Sequence, residues 1–408
     1  MNCRHCGAHL HHPFLDLGSA PPSNNYLTTD TLHAPEQWFP LRLLVCEECW
    51  LVQTEDFSKA NELFADDYAY FSSFSRTWVK HAEKYVVSMI DRFSLGPDHL
   101  FIEVAANDGY LLQFVQKAGI PCLGIEPTSS TAQAAQKKGL KIIEKFFSLS
   151  LAQTLAQKGC SADLIAANNV LAHVPDINDF VSGFATLLKP QGVATFEFPH
   201  LLSLVQENQF DTVYHEHYSY LSLTTVQTIF ASNGLHIFDV EKLPTHGGSL
   251  RVFAQRADCG KHVAKTEIDQ LLAEEKDNGI SDFYFYCDFQ KKAEQIKNGF
   301  LSFLLECRQE QITTAAYGAA AKGNTLLNFA GIRPDLLPYI ADRNPAKQGR
   351  FMPGNRIPIV SESHIQKNKP DVVVILPWNI RDEIREQLKY IRQWNGRFVT
   401  VIPELTFF

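Results

Sequence analysis

The sequence predicts an α/β fold in three parts. These are a small amino-terminal metal-binding domain, a central doubly wound domain with a parallel sheet, and a carboxy-terminal α/β domain. Two close cysteine pairs predict the first part, regular alternation of strands and helices predicts the second, and a shorter strand–helix series predicts the third. The 408 residues suffice for two or three domains. We place the domains at residues 1–74, 75–255 and 256–408.

The first domain carries two cysteine pairs, Cys3 with Cys6 and Cys46 with Cys49. Two thiolates at this spacing bind one face of a metal ion, and a second pair completes a tetrahedron. Zn²⁺ prefers this all-sulfur set, and a site closed by four protein ligands is structural. Reduced cysteines that bind no metal are the alternative, but they seldom occur as two such pairs. We therefore predict a structural zinc ion, distant in sequence from the residues expected to carry chemistry.

Alternating apolar patterns define the central and carboxy-terminal domains. In the central domain the pattern predicts buried strands at 99–104, 121–126, 162–167 and 193–198, and helices at 109–118 and 129–138. A polar, helix-forming stretch covers 265–311, and further strands are predicted at 313–317, 337–341, 371–376 and 397–402. Alternation at this spacing predicts parallel sheets covered by helices on both faces.

Composition narrows the possible partners and the compartment. A net charge of −8 and a pI near 6.0 argue against binding to nucleic acid or to an anionic membrane surface. We expect no signal peptide, because no apolar h-region follows Met1-Asn2-Cys3, and no apolar run approaches the roughly 18 residues that a membrane helix needs. The remaining five cysteines are scattered, as in reducing compartments. We expect a cytoplasmic protein.

A loop after the first central strand has the features of a cofactor site. The strand ends at Glu103, a tight turn leads through Ala105 and Asn107 to Gly109, and the next strand ends at Glu126. A carboxylate after the second strand can bind both hydroxyls of an adenosine ribose, and it would repel the 2′-phosphate of NADP. The loop lacks the glycines of the dinucleotide-binding motif, and acidic strand ends also occur by chance.

What the loop resembles is the Glu-x-Gly-x-Gly-x-Gly segment of class I S-adenosylmethionine-dependent methyltransferases, with only Gly109 retained. The third strand supports this similarity, because it leads into Asn168 and Asn169 and then His173, like the segment beside methionine and substrate in that fold. The residues predicted to contact this cofactor are Glu103, Ala105, Asn107, Asp108, Gly109, Glu126, Pro127, Asn168 and Asn169.

The densest group of proton-transfer side chains lies at residues 211–218. Here Tyr214, Glu216 and His217 offer a phenol, a carboxylate and an imidazole that can accept a proton near neutral pH. An extended backbone would place Tyr214 and His217 on opposite faces, so they meet only if the segment is helical or kinked. A surface histidine-rich loop and a second metal site are the alternatives.

Taken together, these motifs resemble the sugar C-methyltransferases that methylate C3 of nucleotide-linked 4-keto-deoxysugars, such as those in mycarose-type branched sugars. The similarity extends over nearly the whole chain and includes the four cysteines and residues 68–73, 103–109, 214–217, 246–249 and 317–322. It implies a class I Rossmann-like methyltransferase domain, a Rossmann-like carboxy-terminal domain, S-adenosylmethionine, structural zinc and a monomer.

The resemblance also implies roles for individual residues. His217 is the expected base that removes the C3 proton, Tyr214 the donor to the developing oxyanion, and Glu216 the group that fixes the tautomer of a neighbouring histidine. His173 and Tyr70 are expected to hold the sugar, although His173 could instead be a core histidine after a strand. Further expected substrate contacts are Tyr68, Ser72 and His246.

The third domain is predicted to anchor the nucleotide diphosphate. Lys322 and Asn324 lie in a small-residue turn that leads from a strand into a helix, where backbone amides can approach an anion. Arg343 and Asn379 follow later strands at the same sheet edge. An ordinary tight turn is the alternative reading of this segment.

The sequence therefore predicts a C-methyltransferase. An O- or N-methyltransferase acting on a sugar nucleotide or small metabolite is the first alternative, and it would not need the Tyr214–His217 cluster. A zinc-stabilised binding protein without catalytic activity is the second, and the complete cluster beside an acidic cofactor loop argues against it.

Overall fold

A computed structural model describes residues 1–55, 57 and 71–408. Its first sheet is antiparallel, in the order β1-β2-β3-β9. The strands are β1 (His12–Ala20), β2 (Phe39–Val45), β3 (Val52–Thr54) and β9 (Ser219–Tyr220). The first three come from the cysteine-bearing segment, but β9 lies directly after the 211–218 cluster. The amino-terminal domain and the predicted chemical cluster therefore share one sheet.

The second sheet forms the central domain, in the order β10-β11-β8-β7-β4-β5-β6. Its strands are β4 (Phe101–Val104), β5 (Cys122–Ile125), β6 (Ile142–Ile143), β7 (Ala162–Asn168), β8 (Leu188–Pro199), β10 (Leu235–Leu243) and β11 (Ser249–Arg256). Only β11 runs antiparallel to its neighbours in this sheet. The strand order reverses between β4 and β7, and ligands of such sheets bind beyond the carboxyl ends at this point. The predicted parallel sheet is confirmed.

Helices cover the central sheet on both faces. They are α1 (Arg76–Phe93), α2 (Leu112–Lys117), α3 (Ser129–Lys137), α4 (Leu149–Gln157), α5 (Ile177–Leu187), α6 (Leu201–Gln206) and α7 (Leu223–Ser232). The hydroxyl of Ser75 caps α1 by accepting from the amide of Trp78 at 3.2 Å. On the other face, Phe180 and Phe184 of α5 are buried against the core.

The polar stretch 265–311 folds into three helices, α8 (Thr266–Asp277), α9 (Tyr284–Cys287) and α10 (Phe289–Gln309). Helix α8 packs on α7 and β10 of the central domain. Its fully buried Glu275 accepts from His200 Nε2 at 2.7 Å and from the amides of Leu223 and Thr224 at 2.6 and 2.8 Å. A carboxylate at the amino terminus of α7 is stabilised by the unpaired helix amides.

The third sheet has the order β14-β13-β12-β15-β16-β17, with β17 antiparallel and the others parallel. Its elements are β12 (Thr314–Tyr317), α11 (Ala321–Phe329), β13 (Ile340–Ala341), β14 (Ile359–Val360), α12 (Ser363–Asn368), β15 (Val372–Ile375), α13 (Arg381–Gln387), β16 (Arg397–Thr400) and β17 (Thr406–Phe407). Counted along the chain, this is the 3-2-1-4-5-6 order of Rossmann domains. The predicted carboxy-terminal α/β domain is confirmed.

The domains pack closely against one another. One hydrophobic core joins Phe14 of β1, Phe289 of α10 and Leu326 of α11. The Tyr26 hydroxyl donates to the carbonyl of Ala319, just after β12, at 2.7 Å. Among the described residues, no helix is both long and apolar enough to span a membrane.

Candidate active site

The four predicted zinc ligands converge at the amino terminus. The sulfur atoms of Cys3, Cys6, Cys46 and Cys49 all lie within 4.8 Å of one another, with Cys3–Cys49 at 3.6 Å and Cys6–Cys46 at 3.5 Å. A tetrahedron with Zn–S bonds of about 2.3 Å places its sulfurs roughly 3.8 Å apart, so the set fits a zinc ion. Gln53 Nε2 donates to Cys3 Sγ at 3.3 Å. Among described residues, no other group of three or more metal-ligating side chains occurs.

The predicted cofactor loop lies at the switch point of the central sheet. Ala105 and Asn107 have positive φ angles of 58° and 49°, and both are partly exposed where the loop turns. The Asn107 amide donates to Glu126 Oε2 at 2.8 Å, while Glu126 Oε1 accepts from the Thr128 amide and the Thr131 hydroxyl at 3.0 Å each. The Glu126 carboxylate therefore holds the loop to the start of α3.

Acidic groups concentrate beneath this loop. Glu103 is only 1% exposed, and burial together with the charges of Glu126 and Asp108 raises its pKa well above the usual value. Burial also raises the pKa of Glu126. Among described residues, Glu103 Oε2 and Asn168 Oδ1 are buried without a hydrogen-bond partner. An acid-lined crevice with free acceptors fits a cofactor that carries ammonium and sulfonium charges and ribose hydroxyls.

Two residues of the loop serve its packing. A Cβ on Gly109, whose φ is 75°, would lie 2.2 Å from Leu140 Cδ1, so close packing requires glycine here. The Asp108 carboxylate accepts from Ser73, and its carbonyl accepts from Lys138 Nζ at 2.6 Å. Gly109 therefore allows the close packing of the loop and Asp108 ties the loop to Ser73 and Lys138, while Asp108 Oδ1 has no hydrogen-bond partner among the described residues.

The chemical cluster is a tight turn. The His217 amide donates to the Tyr214 carbonyl at 2.9 Å, which brings the two rings to 4.0 Å. The kinked arrangement that the pairing requires is therefore present. His217 Nδ1 lies 3.0 Å from the carbonyl of Thr212, so Nδ1 carries the proton and Nε2 holds the lone pair. The Tyr214 hydroxyl donates to this Nε2 at 2.8 Å.

His173 is the second histidine of the site. Its ring centroid lies 4.6 Å from that of His217, and its Nδ1 donates to the carbonyl of Glu216 at 2.9 Å. Glu216 thus fixes the tautomer of a neighbouring histidine through its main-chain carbonyl. The carboxylate itself is buried and accepts from Asn24 Nδ2 at 2.8 Å on both oxygens.

Burial keeps these imidazoles neutral. Desolvation by burial is the main reason that the pKa of His217 lies well below the usual value, and electrostatic repulsion from His173 is the second. Desolvation likewise lowers the pKa of His173 and that of His246 to about 4 each. His246 has a positive φ of 55°, packs against Trp78 at 5.1 Å, and accepts from Asn169 Nδ2 at 3.3 Å. All three rings are available as proton acceptors at neutral pH.

Lys322 extends from the carboxy-terminal domain to the same cleft. Its charge contributes to the lowered pKa of both His217 and His246. Lys322 Nζ donates to Asn379 Oδ1 at 2.8 Å and lies 4.4 Å above the Trp378 ring, whose Nε1 donates to Asp211 Oδ2 at 2.8 Å. Burial raises the pKa of Asp211 to about 6. Lys322 and Asn379 thus connect the third domain to the histidines.

Comparison with known proteins identifies the family. Residues 78–240 match a methyltransferase domain family, residues 244–403 the C-methyltransferase C-terminal domain, and residues 3–64 a zinc-binding domain family. C-methyltransferase NovU of Streptomyces niveus is 33% identical over 405 residues, which are 98% of this chain and 95% of the relative. The chain belongs to the C-methyltransferase family. It is an S-adenosylmethionine-dependent methyltransferase with a zinc-binding amino-terminal domain.

More distant similarities cover shorter segments. Ubiquinone biosynthesis O-methyltransferase of Bartonella bacilliformis is 28% identical over 109 residues, 25% of this chain and 43% of the relative. The structure of magnesium protoporphyrin IX methyltransferase from Synechocystis with bound S-adenosylmethionine is 16% identical, with a TM-score of 0.35. It covers 50% of this chain and all of that one.

Three predicted substrate contacts of this C-methyltransferase make bonds to other parts of the protein and not to the histidine cluster. Asn324 is fully buried, and its Oδ1 accepts from Asn355 Nδ2 at 3.1 Å, while its own Nδ2 has no hydrogen-bond partner in the described part of the chain. Arg343 is exposed and donates to Gln387 at 3.0 Å. The main-chain amide of Ser72 donates to Oδ1 of the cofactor-loop residue Asn107 at 2.9 Å.

Other predicted residues lie near the cofactor loop or outside the described part of the chain. Pro127 is half-buried at the start of α3. His215, which lies in the same cluster but was not among the predicted site residues, has its Nε2 3.2 Å from the carbonyls of Phe39 and Pro40. The predicted sugar contacts Tyr68 and Tyr70 lie outside the described residues. The cluster is buried, which excludes the reading of 211–218 as a surface loop.

The site also contains three residues that no sequence motif marks: Asn24, Trp78 and Arg4. Asn24 follows a Pro-Pro-Ser turn, which predicts a bend but does not reveal that Asn24 donates to Glu216. Trp78 lies in the first turn of α1, and a helix start does not reveal that its ring faces His246. Arg4 lies between two zinc ligands, where the spacing of the cysteines is the only visible signal.

Proposed function

We propose that this C-methyltransferase acts on C3 of a nucleotide-linked 4-keto-deoxysugar through a base-generated enolate. The observation that carries the proposal is the neutral His217 ring, whose Nε2 lone pair faces the Tyr214 hydroxyl at 2.8 Å beside the carboxyl edge of the methyltransferase sheet. Family membership supports methylation at carbon, and a carbon nucleophile requires loss of a proton from that carbon.

The chemistry assigns one task to each atom. The C4 ketone acidifies the C3 hydrogen, His217 Nε2 takes that proton, and the electron pair forms an enolate. With the cofactor bound, carbon C3 would form its new bond to the methyl group as the sulfur–methyl bond breaks. S-adenosylmethionine supplies the electrophilic methyl group when bound.

The same residues must respond to the substrate. The Tyr214 hydroxyl donates to His217 Nε2, so productive binding has to exchange this bond for one to the C4 oxygen. The low pKa of His217 keeps the base neutral but weak. Negative charge developing on the enolate offsets that weakness because it stabilises the imidazolium. We further propose that Lys322 and Asn379, which belong to the third domain, help to bind the anionic substrate. His173 and His246 would line the site of the sugar.

The position of the new methyl group tests this function. The enzyme is incubated with a nucleotide-linked 4-keto-6-deoxysugar and S-adenosylmethionine carrying a ¹³C methyl group, and the product is examined by NMR. A methyl carbon coupled to C3 supports the proposal, and a methyl group on oxygen or nitrogen contradicts it. His217→Asn should abolish turnover and leave cofactor affinity unchanged, while the exposed His236→Asn serves as the matched control.

A further inference from the structure

We propose that Arg4 is a positioning residue that holds the His173 and His217 segments together and so makes catalysis depend on the zinc-binding domain. This inference rests on the proposed role of His217 as the base. The zinc-binding cysteines are distant in sequence from His217, as expected, but Arg4 connects them to it in space.

Arg4 is fixed at the zinc site through its main chain. It follows the ligand Cys3 directly, and its amide donates to Gln53 Oε1 at 2.9 Å. The amide group of Gln53 in turn donates to Cys3 Sγ at 3.3 Å. The position of the Arg4 backbone is therefore determined by the same residues that form the cysteine cluster.

The guanidinium group of Arg4 contacts three separate segments. Nη1 donates to the carbonyl of Pro175 at 2.9 Å, and Nη2 donates to the carbonyl of Thr54 at 3.1 Å. The same group lies 5.3 Å from the centre of the Tyr218 ring. Pro175 comes two residues after His173, and Tyr218 directly follows His217. A planar guanidinium has several donors in a fixed geometry and can hold such segments in register.

Main-chain bonds link the same three segments. The Thr54 amide donates to the Tyr218 carbonyl at 3.1 Å, and the Tyr218 amide donates to the Ala172 carbonyl at 2.8 Å. The Thr54 hydroxyl also donates to the carbonyl of His217 at 3.4 Å. Strand β3 of the zinc-binding domain thus stands beside both histidine-bearing segments, and Arg4 ties all three together from the zinc site.

The consequence concerns the separation of the two imidazoles, whose centroids are 4.6 Å apart. If Arg4 is removed, the Pro175 and Thr54 carbonyls lose a shared donor and the segments can shift against each other. A displacement near 1 Å at a catalytic group can cost about 100-fold in rate. We therefore expect a fall in kcat of about 10- to 100-fold, with zinc retained and the KM for S-adenosylmethionine unchanged.

The experiment compares Arg4→Met with the zinc-loaded parent enzyme. Zinc content, steady-state kinetics and the imidazole N–H signals of ¹⁵N-histidine-labelled enzyme are measured for both. His173→Asn and His217→Asn assign the two Nδ1–H signals. Arg308→Met is the matched control, because Arg308 is an exposed arginine paired with Asp335. Arg4→Lys keeps the charge but cannot replace both carbonyl bonds, so it should recover only part of the lost rate.

The expected result is full zinc content, reduced kcat, and Nδ1–H signals that exchange with solvent at least about 10-fold faster in Arg4→Met than in the control. Unchanged signals and unchanged kcat would overturn the proposal. Loss of zinc from both Arg4 variants would also overturn it, because Arg4 would then serve the metal site itself. The N–H signals require no sugar, so they remain decisive even if His217→Asn retains turnover and the proposed base is wrong.

Discussion

Replacing Glu126 with glutamine should weaken cofactor binding by about 10- to 100-fold. The carboxylate accepts three hydrogen bonds, two at Oε1 from Thr128 and Thr131 and one at Oε2 from the Asn107 amide. A glutamine side chain has one acceptor oxygen. If this oxygen takes the position of Oε1, the new NH₂ group faces the Asn107 amide at 2.8 Å, and two donors then oppose each other.

The magnitude follows from the lost bond. A hydrogen bond to a charged acceptor contributes about 1.5–3 kcal/mol, and about 1.4 kcal/mol corresponds to tenfold in affinity. Asn107 forms part of the cofactor loop. Loss of its bond to Glu126 therefore destabilises the loop conformation that binds the cofactor by this free energy, and affinity falls accordingly. Titration calorimetry with S-adenosylhomocysteine measures the effect, with the exposed Glu306→Gln as control. A folded Glu126→Gln enzyme with unchanged Kd would refute the assignment of this loop.

Three further outcomes are expected. Tyr214→Phe removes the hydroxyl beside His217 and should lower kcat by about 10²–10³-fold without changing the KM for S-adenosylmethionine; an unaltered kcat in steady-state assays would contradict this role. His173 and His246 have folded pKa values of about 4, below the ordinary value near 6.5, so the unfolded state binds more protons between these pH values. The free energy of unfolding should therefore fall as pH drops from 6.5 to 4, by up to about 3 kcal/mol per histidine, and a flat profile in urea titrations would argue against buried neutral rings. Gly109→Ala should destabilise the protein by about 2–4 kcal/mol, because of its positive φ and the contact with Leu140, and an unchanged urea midpoint would contradict that packing.

The central and carboxy-terminal sheets were predictable because their parallel strands are buried on both faces. Every residue of Phe101–Val104 and of Val372–Ile375 is buried; the second strand is a continuous apolar run in the sequence, and the first is interrupted only by Glu103. The amino-terminal sheet was not predictable in this way. Its fourth strand, Ser219–Tyr220, has two residues and pairs with Val52 and Gln53, far away in the chain.

In the candidate site, the sequence identified residue types but not the atoms that make contact. The turn that joins Tyr214 to His217 depends on a main-chain hydrogen bond, and the tautomer of His173 depends on the carbonyl of Glu216, a group that every residue has. Periodicity cannot reveal such contacts. Lys322 was expected to bind a distant diphosphate, but the packing of the third domain also brings its charge to the histidines.

Solvent exchange at C3 shows directly whether His217 removes the C3 proton. A nucleotide-linked 4-keto-6-deoxysugar is incubated in heavy water with the parent enzyme or with His217→Asn, with and without S-adenosylmethionine, and deuterium is located by NMR. We expect enzyme-dependent deuterium at C3 that disappears in the His217 variant. Methyl transfer with no deprotonation at C3, or exchange that persists without His217, would contradict it.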